Sequence, residues 1–312
     1  MEKYFGGVDC GGTTFLCVIG NSPSNIQASR SIPTSPDPKK TIAKVAHFFE
    51  ENAARYNISA IGLACFGPID LNPDSGTWGQ IRKPPKSGWD NTRPVELLRN
   101  HMGDIPIGIQ TDAGGAAMAE LRWGAGVGCR HMTYVSVGTG IGGAHIVNGC
   151  LMNGHTHSEL GHMVIRKHPN DNFQGVCGAN HIDCLEGLAS GTAIGASNRI
   201  KAKDIQHTDP VFDYVAYYLG QMCANVFFCN APERIVLGGG VMRNTKLIDK
   251  IRQHTREFIG GYLAWPSPEK MEEAIVLSRW LDDSDSSCEK SHEINAGALG
   301  GFLIADAALR VT

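Results

Sequence analysis

GGVDCGGTTFLCVIG, residues Gly6 to Gly20, sets an apolar run, a Gly-Gly turn and a second apolar run end to end. Such a stretch reads as a strand, a tight glycine turn and a returning strand. The same layout recurs in YVSVGTGIGGAHIVNG, residues Tyr134 to Gly149. Two halves that open alike point to a duplicated α/β unit with a cleft between its lobes. A third glycine cluster, IVLGGGVM from Ile235 to Met242, ends another apolar run and precedes a helix-like stretch.

Beyond the first hairpin the pattern alternates. TIAKVAHFFEENAARY places Ile42, Val45, Ala46 and Phe49 on one helical face. ISAIGLACFG is a buried strand, and NTRPVELLRNHM opens a helix with Thr92 near the cap and Pro94 in the first turn. IPIGIQTDAGGAAMAELRWG reads as strand, sharp turn, helix. In the second half DPVFDYVAYYLGQMCANVFFCN carries Val211, Val215, Leu219, Met222 and Val226 as a core stripe. HEINAGALGGFLIADAAL has small residues on one side, suited to close packing back against the first half. The expected lobes are 1–115 with 292–312, and 116–291 with an interruption at 151–187.

Composition narrows the class. A chain of 312 residues holds two domains or one bilobal core, and 42% hydrophobic content supports a sizeable interior. A net charge of -3 with no local Lys/Arg cluster gives no reason to expect nucleic acid. No apolar run is long enough to span a membrane, and the start MEKYFGGVDCGG lacks a signal-peptide layout. Of the ten cysteines, Cys17, Cys65, Cys223 and Cys229 lie in apolar runs and read as small core residues. Free thiols of this kind suit a reducing, cytoplasmic setting, where clustered Cys and His bind metal more often than they pair.

Backbone binding of phosphate needs several N–H groups aimed at one point with no Cβ in the way. Gly11 and Gly12 meet that need, and Thr13 and Thr14 add hydroxyl donors. Asp9, at the strand end, can hold a hydrated Mg²⁺ at a polyphosphate. VGTGIGG offers a second set, Gly138, Thr139 and Gly140. It leads into a strand, not a helix, so a dinucleotide fingerprint does not fit. Two hairpin cradles describe the pattern better. Asp112 ends an apolar strand, where its carboxylate can serve as a base for a hydroxyl or as the N-cap of the following helix. The residues alone leave both roles open.

The segment ELGHMVIRKHPNDNFQGVCGANHIDCLEG, Glu159 to Gly187, gathers His162, His168, Cys177, His181 and Cys184. Cys177, His181 and Cys184 form a compact trio of zinc-type donors, and His162 can close the set from the preceding strand. His168 is the rival fourth ligand, set in a charged loop before Pro169. Two cysteines are too few for an iron–sulfur cluster.

VDCGGT, VGTGIGG, ELGH, the Cys/His segment ending in CLEG, and LGGGVM together resemble the ROK sugar kinases of the actin-like, ribonuclease H-like ATPase superfamily. The likeness spans nearly the whole chain. It implies that Asp9, Gly11, Gly12, Thr13, Thr14, Gly138, Thr139 and Gly140 handle the phosphates of ATP with Mg²⁺. Gly238, Gly239 and Gly240 would lie near the nucleoside, and Asp112 would be the catalytic base. Gly67, Thr111, Asp112, Glu159, His162 and Glu186 would line the sugar pocket. For Glu186 a plain helix-start role reads equally well. The resemblance implies a structural Zn²⁺ on His162, Cys177, His181 and Cys184, with one His where the family more often has Cys. Gly114 departs from a common Asn.

TWGQIRKPPKSGWDN, Thr77 to Asn91, is similar to the fructokinase branch at Gly79, Ile81, Pro85, Lys86 and Trp89, with Pro84 in place of Thr. Trp89 can cover the core edge or stack on sugar. The implied activity is ATP-dependent phosphorylation of D-fructose at the 6-hydroxyl. Mannose, glucose or N-acetylhexosamines are the alternative substrates, and a non-catalytic sugar sensor is the alternative class. A homodimer is implied as well.

Overall fold

The computed structural model describes residues 2–84, 86–178, 181–200, 204–281 and 294–311. Pro85, Ala179, Asn180, His292, Glu293 and the lobe boundary expected at 291/292 lie outside them. The first half runs β1 (Tyr4–Cys10), β2 (Thr14–Ser22), β3 (Asn25–Pro33), α1 (Pro38–Ala53), β4 (Ile58–Cys65), α2 (Pro94–Met102), β5 (Ile107–Thr111) and α3 (Asp112–Trp123). The second half continues with β6 (Met132–Val137), β7 (Ile141–Val147), β8 (Cys150–Leu151), α4 (Leu185–Ala189), α5 (Gly191–Asn198) and α6 (Val211–Asn230). It closes with β9 (Arg234–Gly238), α7 (Leu247–Ile259), α8 (Met271–Ala274), β10 (Ile275–Leu277) and α9 (Ala296–Val311).

Two five-stranded sheets form, in the orders β3-β2-β1-β4-β5 and β10-β9-β6-β7-β8. Written from its β8 edge, the second reads β8-β7-β6-β9-β10, the same plan as the first. In each sheet a hairpin on the central strand is antiparallel, and the later strands add in parallel. Parallel addition requires crossovers, and helices supply them. The duplicated α/β reading therefore holds at the level of strand order.

Local chemistry accounts for most element ends. Asp37 caps α1 by accepting from the Lys39 N–H at 3.0 Å, with Pro38 in the first turn. Pro94 opens α2, but the cap position is Arg93 and makes no side-chain cap bond. Thr92 lies one residue earlier, where its carbonyl accepts from Ile81. Of the four core-type cysteines, Cys17, Cys65 and Cys223 are buried, whereas Cys229 is exposed on the last turn of α6. Among the described residues nothing buries that position of α6, so an apolar run in the sequence overstated its burial.

The described chain divides into two compact units: Met1–Trp123, Leu151–His157 and Asp283–Thr312; and Gly124–Cys150 and Ser158–Asp282. The sequence-drawn division at 115/116 falls inside α3, which stays whole in the first unit. The first unit's core gathers Phe15, Phe48, Phe49, Leu63 and Trp89, and α9 covers its sheet. Contact there is as close as backbone allows. A Cβ on Gly62 would lie 2.0 Å from the Gly301 carbonyl oxygen. The second core surrounds α6, with Val215, Tyr218, Leu219 and Met222 fully buried. No described helix is long and apolar enough to cross a membrane.

Candidate active site

In the first unit the parallel strands β1, β4 and β5 end together: Cys10 pairs with Cys65, and Cys65 with Thr111. Ligand sites in such sheets lie beyond the carboxyl ends of the strands. Here that edge carries Asp9, the Gly11–Thr14 turn, Gly67 and Asp112. The turn is braced from behind by Thr34. Its N–H donates to the Thr13 carbonyl at 2.9 Å, and its hydroxyl to the Gly11 carbonyl at 2.8 Å. Gly12, Thr13 and Thr14 are exposed, and a Cβ on Gly12 would meet nothing within 4 Å. The space in front of the turn can accept a phosphate.

Asp9 is only partly exposed. Burial pushes its carboxyl up to about 7, against the pull of the Asn295 amide, and nearby Asp112 adds repulsion. Asn295 Nδ2 donates to Asp9 Oδ2 at 2.7 Å.

Asp112 is exposed at the first position of α3. The cap of that helix is Thr111, whose Oγ1 accepts from the Gly114 N–H at 2.9 Å. The N-cap alternative for Asp112 is thereby removed, and the Thr111 hydroxyl oxygen accepts from the helix start. Asp112 Oδ1 accepts from the Ala113 N–H at 2.7 Å. At Gly114 a Cβ would lie 2.9 Å from Thr111 Oγ1 and 3.2 Å from Leu151 Cδ2, so a larger residue would have to displace both. Gly67 begins a turn through a cis bond to Pro68. His157 lies beside it, its Nε2 accepting from the Ile69 N–H at 3.1 Å.

In the second unit the hairpin Gly138–Gly140 closes with the Gly138 N–H on the Gly140 carbonyl, at 2.9 Å. The start of α5 docks on it. The Gly191 N–H donates to the Gly138 carbonyl at 2.7 Å, and the Thr192 hydroxyl to the Thr139 carbonyl at 2.7 Å. Gly239, at φ 87°, passes so near β6 that a Cβ would meet the Val137 carbonyl oxygen at 2.5 Å. The Gly138–Gly140 and Gly238–Gly240 loops are thus neighbours. Glu186 stands in the first turn of α4, and its Oε2 accepts from the Ile141 N–H at 2.8 Å. Glu186 thus occupies the first turn of α4, and its carboxylate also ties that helix to the glycine hairpin.

Glu159 is exposed just before a short 3-10 turn at Leu160–His162. His162 therefore comes from that turn and not from a strand, as the sequence suggested. Ser158 is fastened to β7 through His145, whose Nε2 lies 3.2 Å from the Ser158 hydroxyl. His145 is buried, which lowers its pKa.

His162, Cys177, His181 and Cys184 meet with all four ligand atoms within 4.8 Å of one another. His162 Nδ1 lies 3.3 Å from His181 Nε2, 3.5 Å from Cys177 Sγ and 3.6 Å from Cys184 Sγ. A tetrahedral zinc with ordinary bond lengths has ligand edges of roughly 3.3 Å for N···N and roughly 3.6 Å for S···N. Two thiols and two imidazoles are also a donor set that zinc accepts. The residues fit the ion and fill its coordination. His168 stands apart, its ring 5.0 Å from Tyr214 and 4.8 Å from Tyr217 between ring centroids, and its Nδ1 accepts from the Asn170 N–H.

Trp89 is fully buried, 5.3 Å from the rings of Phe15 and Phe66, and its indole N–H donates to the Ser35 carbonyl at 2.8 Å. It cannot stack on a sugar. The expected site residues thus form two groups. Asp9, Gly11 to Thr14, Gly67, Thr111 and Asp112 lie in the first unit. Glu159, His162, Glu186 and both remaining glycine loops lie in the second. Thr34, His157, Thr192 and Asn295 escaped the sequence reading. Of these only Asn295, placed before an Ala/Gly-rich helix, carried a local signal, that of an N-cap.

Against known proteins, the model of the ROK family matches residues 5–305. A fructokinase of Lactococcus lactis subsp. cremoris is 39% identical over 267 residues, covering 85% of this chain and 89% of that protein. A glucokinase of Halalkalibacterium halodurans is 27% identical over 336 residues, covering 94% and 99%. Among solved structures, the ROK hexokinase of Thermus thermophilus superposes with a TM-score of 0.75 at 25% identity, over 99% of this chain and 100% of that one. Two sheets of one plan, glycine hairpins at their strand ends, a Cys/His cluster beside Glu159 and a match over nearly the whole length lead to one conclusion: the chain belongs to the ROK family.

Proposed function

We propose that the protein is an ATP-dependent fructokinase that phosphorylates D-fructose at the 6-hydroxyl. The observation that carries this reading is the 39% identity to a fructokinase over most of both chains, against 27% to a glucokinase. The two compact units are the kinase's two lobes.

Phosphoryl transfer to an alcohol needs alignment, charge neutralisation and an acceptor for the hydroxyl proton. Asp112 is the acceptor. It is exposed at a strand end, and the helix it begins is already capped by Thr111. As the sugar oxygen bonds to the γ-phosphorus, the bond to ADP breaks and the hydroxyl proton passes to Asp112. Gly11, Gly12, Thr13 and Thr14, with Gly138, Thr139 and Gly140, present N–H and hydroxyl donors to the phosphates. Gly238, Gly239 and Gly240 face the nucleoside. Asp9 would hold magnesium through water, and the ion would supply charge neutralisation at the phosphates.

Gly67, Thr111, Glu159, His162 and Glu186 contact the sugar. His162, Cys177, His181 and Cys184 would hold zinc, which supplies rigidity and no open coordination site. His162 Nδ1 faces the other three ligand atoms and would be the atom to hold zinc, which would leave the far edge of the ring for the sugar. The protein acts in the cytoplasm as a homodimer.

The test is ADP release with fructose, mannose, glucose, N-acetylglucosamine and N-acetylmannosamine, with the product's phosphorylated position read by ³¹P NMR. The expected result is the highest kcat/KM on fructose and phosphate on O6. No turnover of any of these sugars would favour a sugar sensor, and faster turnover of another hexose would reassign the substrate.

A further inference from the structure

Asp9 is held by a residue from the far end of the chain. Asn295 caps α9: its Oδ1 accepts from the Ala298 N–H at 2.9 Å, three residues on, and its carbonyl accepts from the Leu299 N–H. That bond fixes which way the amide faces, because the oxygen must look into the helix and the nitrogen away from it. The nitrogen then meets Asp9 Oδ2 at 2.7 Å, across 286 residues of sequence. The carboxylate's other oxygen lies against the same helix start. A Cβ on Gly297 would fall 2.7 Å from Asp9 Oδ1. One face of Asp9 is therefore shaped by the first turn of α9, whose partial positive charge favours an anion there.

We propose that Asn295 is a positioning residue for phosphoryl transfer: it clamps the Asp9 carboxylate to the start of α9 and so sets its direction at the ATP phosphates. The inference rests on the phosphate-side reading of Asp9. It assigns to one side chain two separable tasks, capping a helix and aiming a carboxylate.

Two substitutions separate them. Ser and Asp are both competent N-caps, so Asn295→Ser and Asn295→Asp keep the helix start. Neither keeps the amide donor, and Asp adds a second carboxylate beside Asp9. Asn295→Ala removes cap and clamp together. Each variant is measured for thermal unfolding, for kcat and KM with ATP and fructose, and for binding of ADP with magnesium by calorimetry.

The expected result is that Ser and Asp unfold near wild type, whereas kcat/KM for ATP falls about 10²-fold, as small misplacements of aligned groups do. ADP affinity in the presence of magnesium falls at least about tenfold, and KM for fructose stays within about threefold of wild type, the fructose contacts being made by other residues. Wild-type ATP kinetics and ADP affinity in both Ser and Asp variants would overturn the proposal. So would a loss of stability in both equal to that of Ala, with binding lost only in proportion to the unfolded fraction. A wild-type protein that phosphorylates no hexose would instead defeat the kinase reading, and the ADP calorimetry would still report on the clamp.

Discussion

Asp112 shows how one residue's offset decides a role. Thr and Asp both favour the N-cap, and TD at the end of a strand lets either take it. Thr111 takes it, through the Gly114 N–H, and Asp112 is left on the first helical turn with its carboxylate exposed. A carboxylate needed for the cap could not serve as the base without loosening α3. One that is not needed there can be exchanged with little effect on the fold. Asp112→Asn should keep the far-UV dichroism and melting temperature of the parent while kcat falls by at least ~10²-fold. Turnover near wild type in that variant would remove Asp112 from the chemistry. Trp89 teaches the reverse lesson. Its aromatic, turn-rich surroundings left a stacking role open, but the side chain is wholly in the core.

At the scale of elements, the Cys/His segment works as a brace. Its ligands come from a 3-10 turn, a loop and the cap of α4, pieces also tied by backbone bonds from Val176 to Gly187, Cys177 to Ile182 and Leu185 to Met163. Glu186 continues the brace by accepting from the Ile141 N–H in the strand after the glycine hairpin. Glu159 and His162 sit at the near end of the same segment. If the cluster holds the proposed zinc, its removal should act on sugar binding and fold together. After exhaustive chelation, KM for fructose should rise at least about tenfold and the melting temperature should drop, with both restored by added zinc. Metal analysis of the purified protein should give about one zinc per chain. A metal-free protein with unchanged fructose KM would break the link between brace and pocket.

For the molecule as a whole, the chain closes on itself through α9. This helix returns after the entire second unit to cover β1 and β4, and the close approach depends on glycine at the crossing. A Cβ at Gly62 would lie 2.0 Å from Gly301's carbonyl oxygen and 2.6 Å from the Ala305 nitrogen, both backbone atoms that cannot turn aside. Gly62→Ala must lift the helix from the sheet. The expected cost is about 2–4 kcal/mol, seen as a fall in melting temperature of roughly 5–10 °C. ATP-dependent turnover should fall with it, because the start of the same helix holds Asp9. An unchanged melting temperature would mean that the helix can shift without loss.

The hairpins, the helix stripes, the duplication and the Cys/His cluster were legible along the chain, because each is written in short-range spacing: alternation, three- and four-residue periods, glycine at turns, thiols and imidazoles a few residues apart. Asn295 on Asp9, Thr34 behind the first glycine turn and His157 beside Gly67 were not. Each joins residues distant in sequence, and nothing in local spacing encodes such a pairing. The choice between Thr111 and Asp112 was also left to the tertiary structure, since both residues offer the same chemistry to a helix start and only the built backbone shows which oxygen reaches the third N–H.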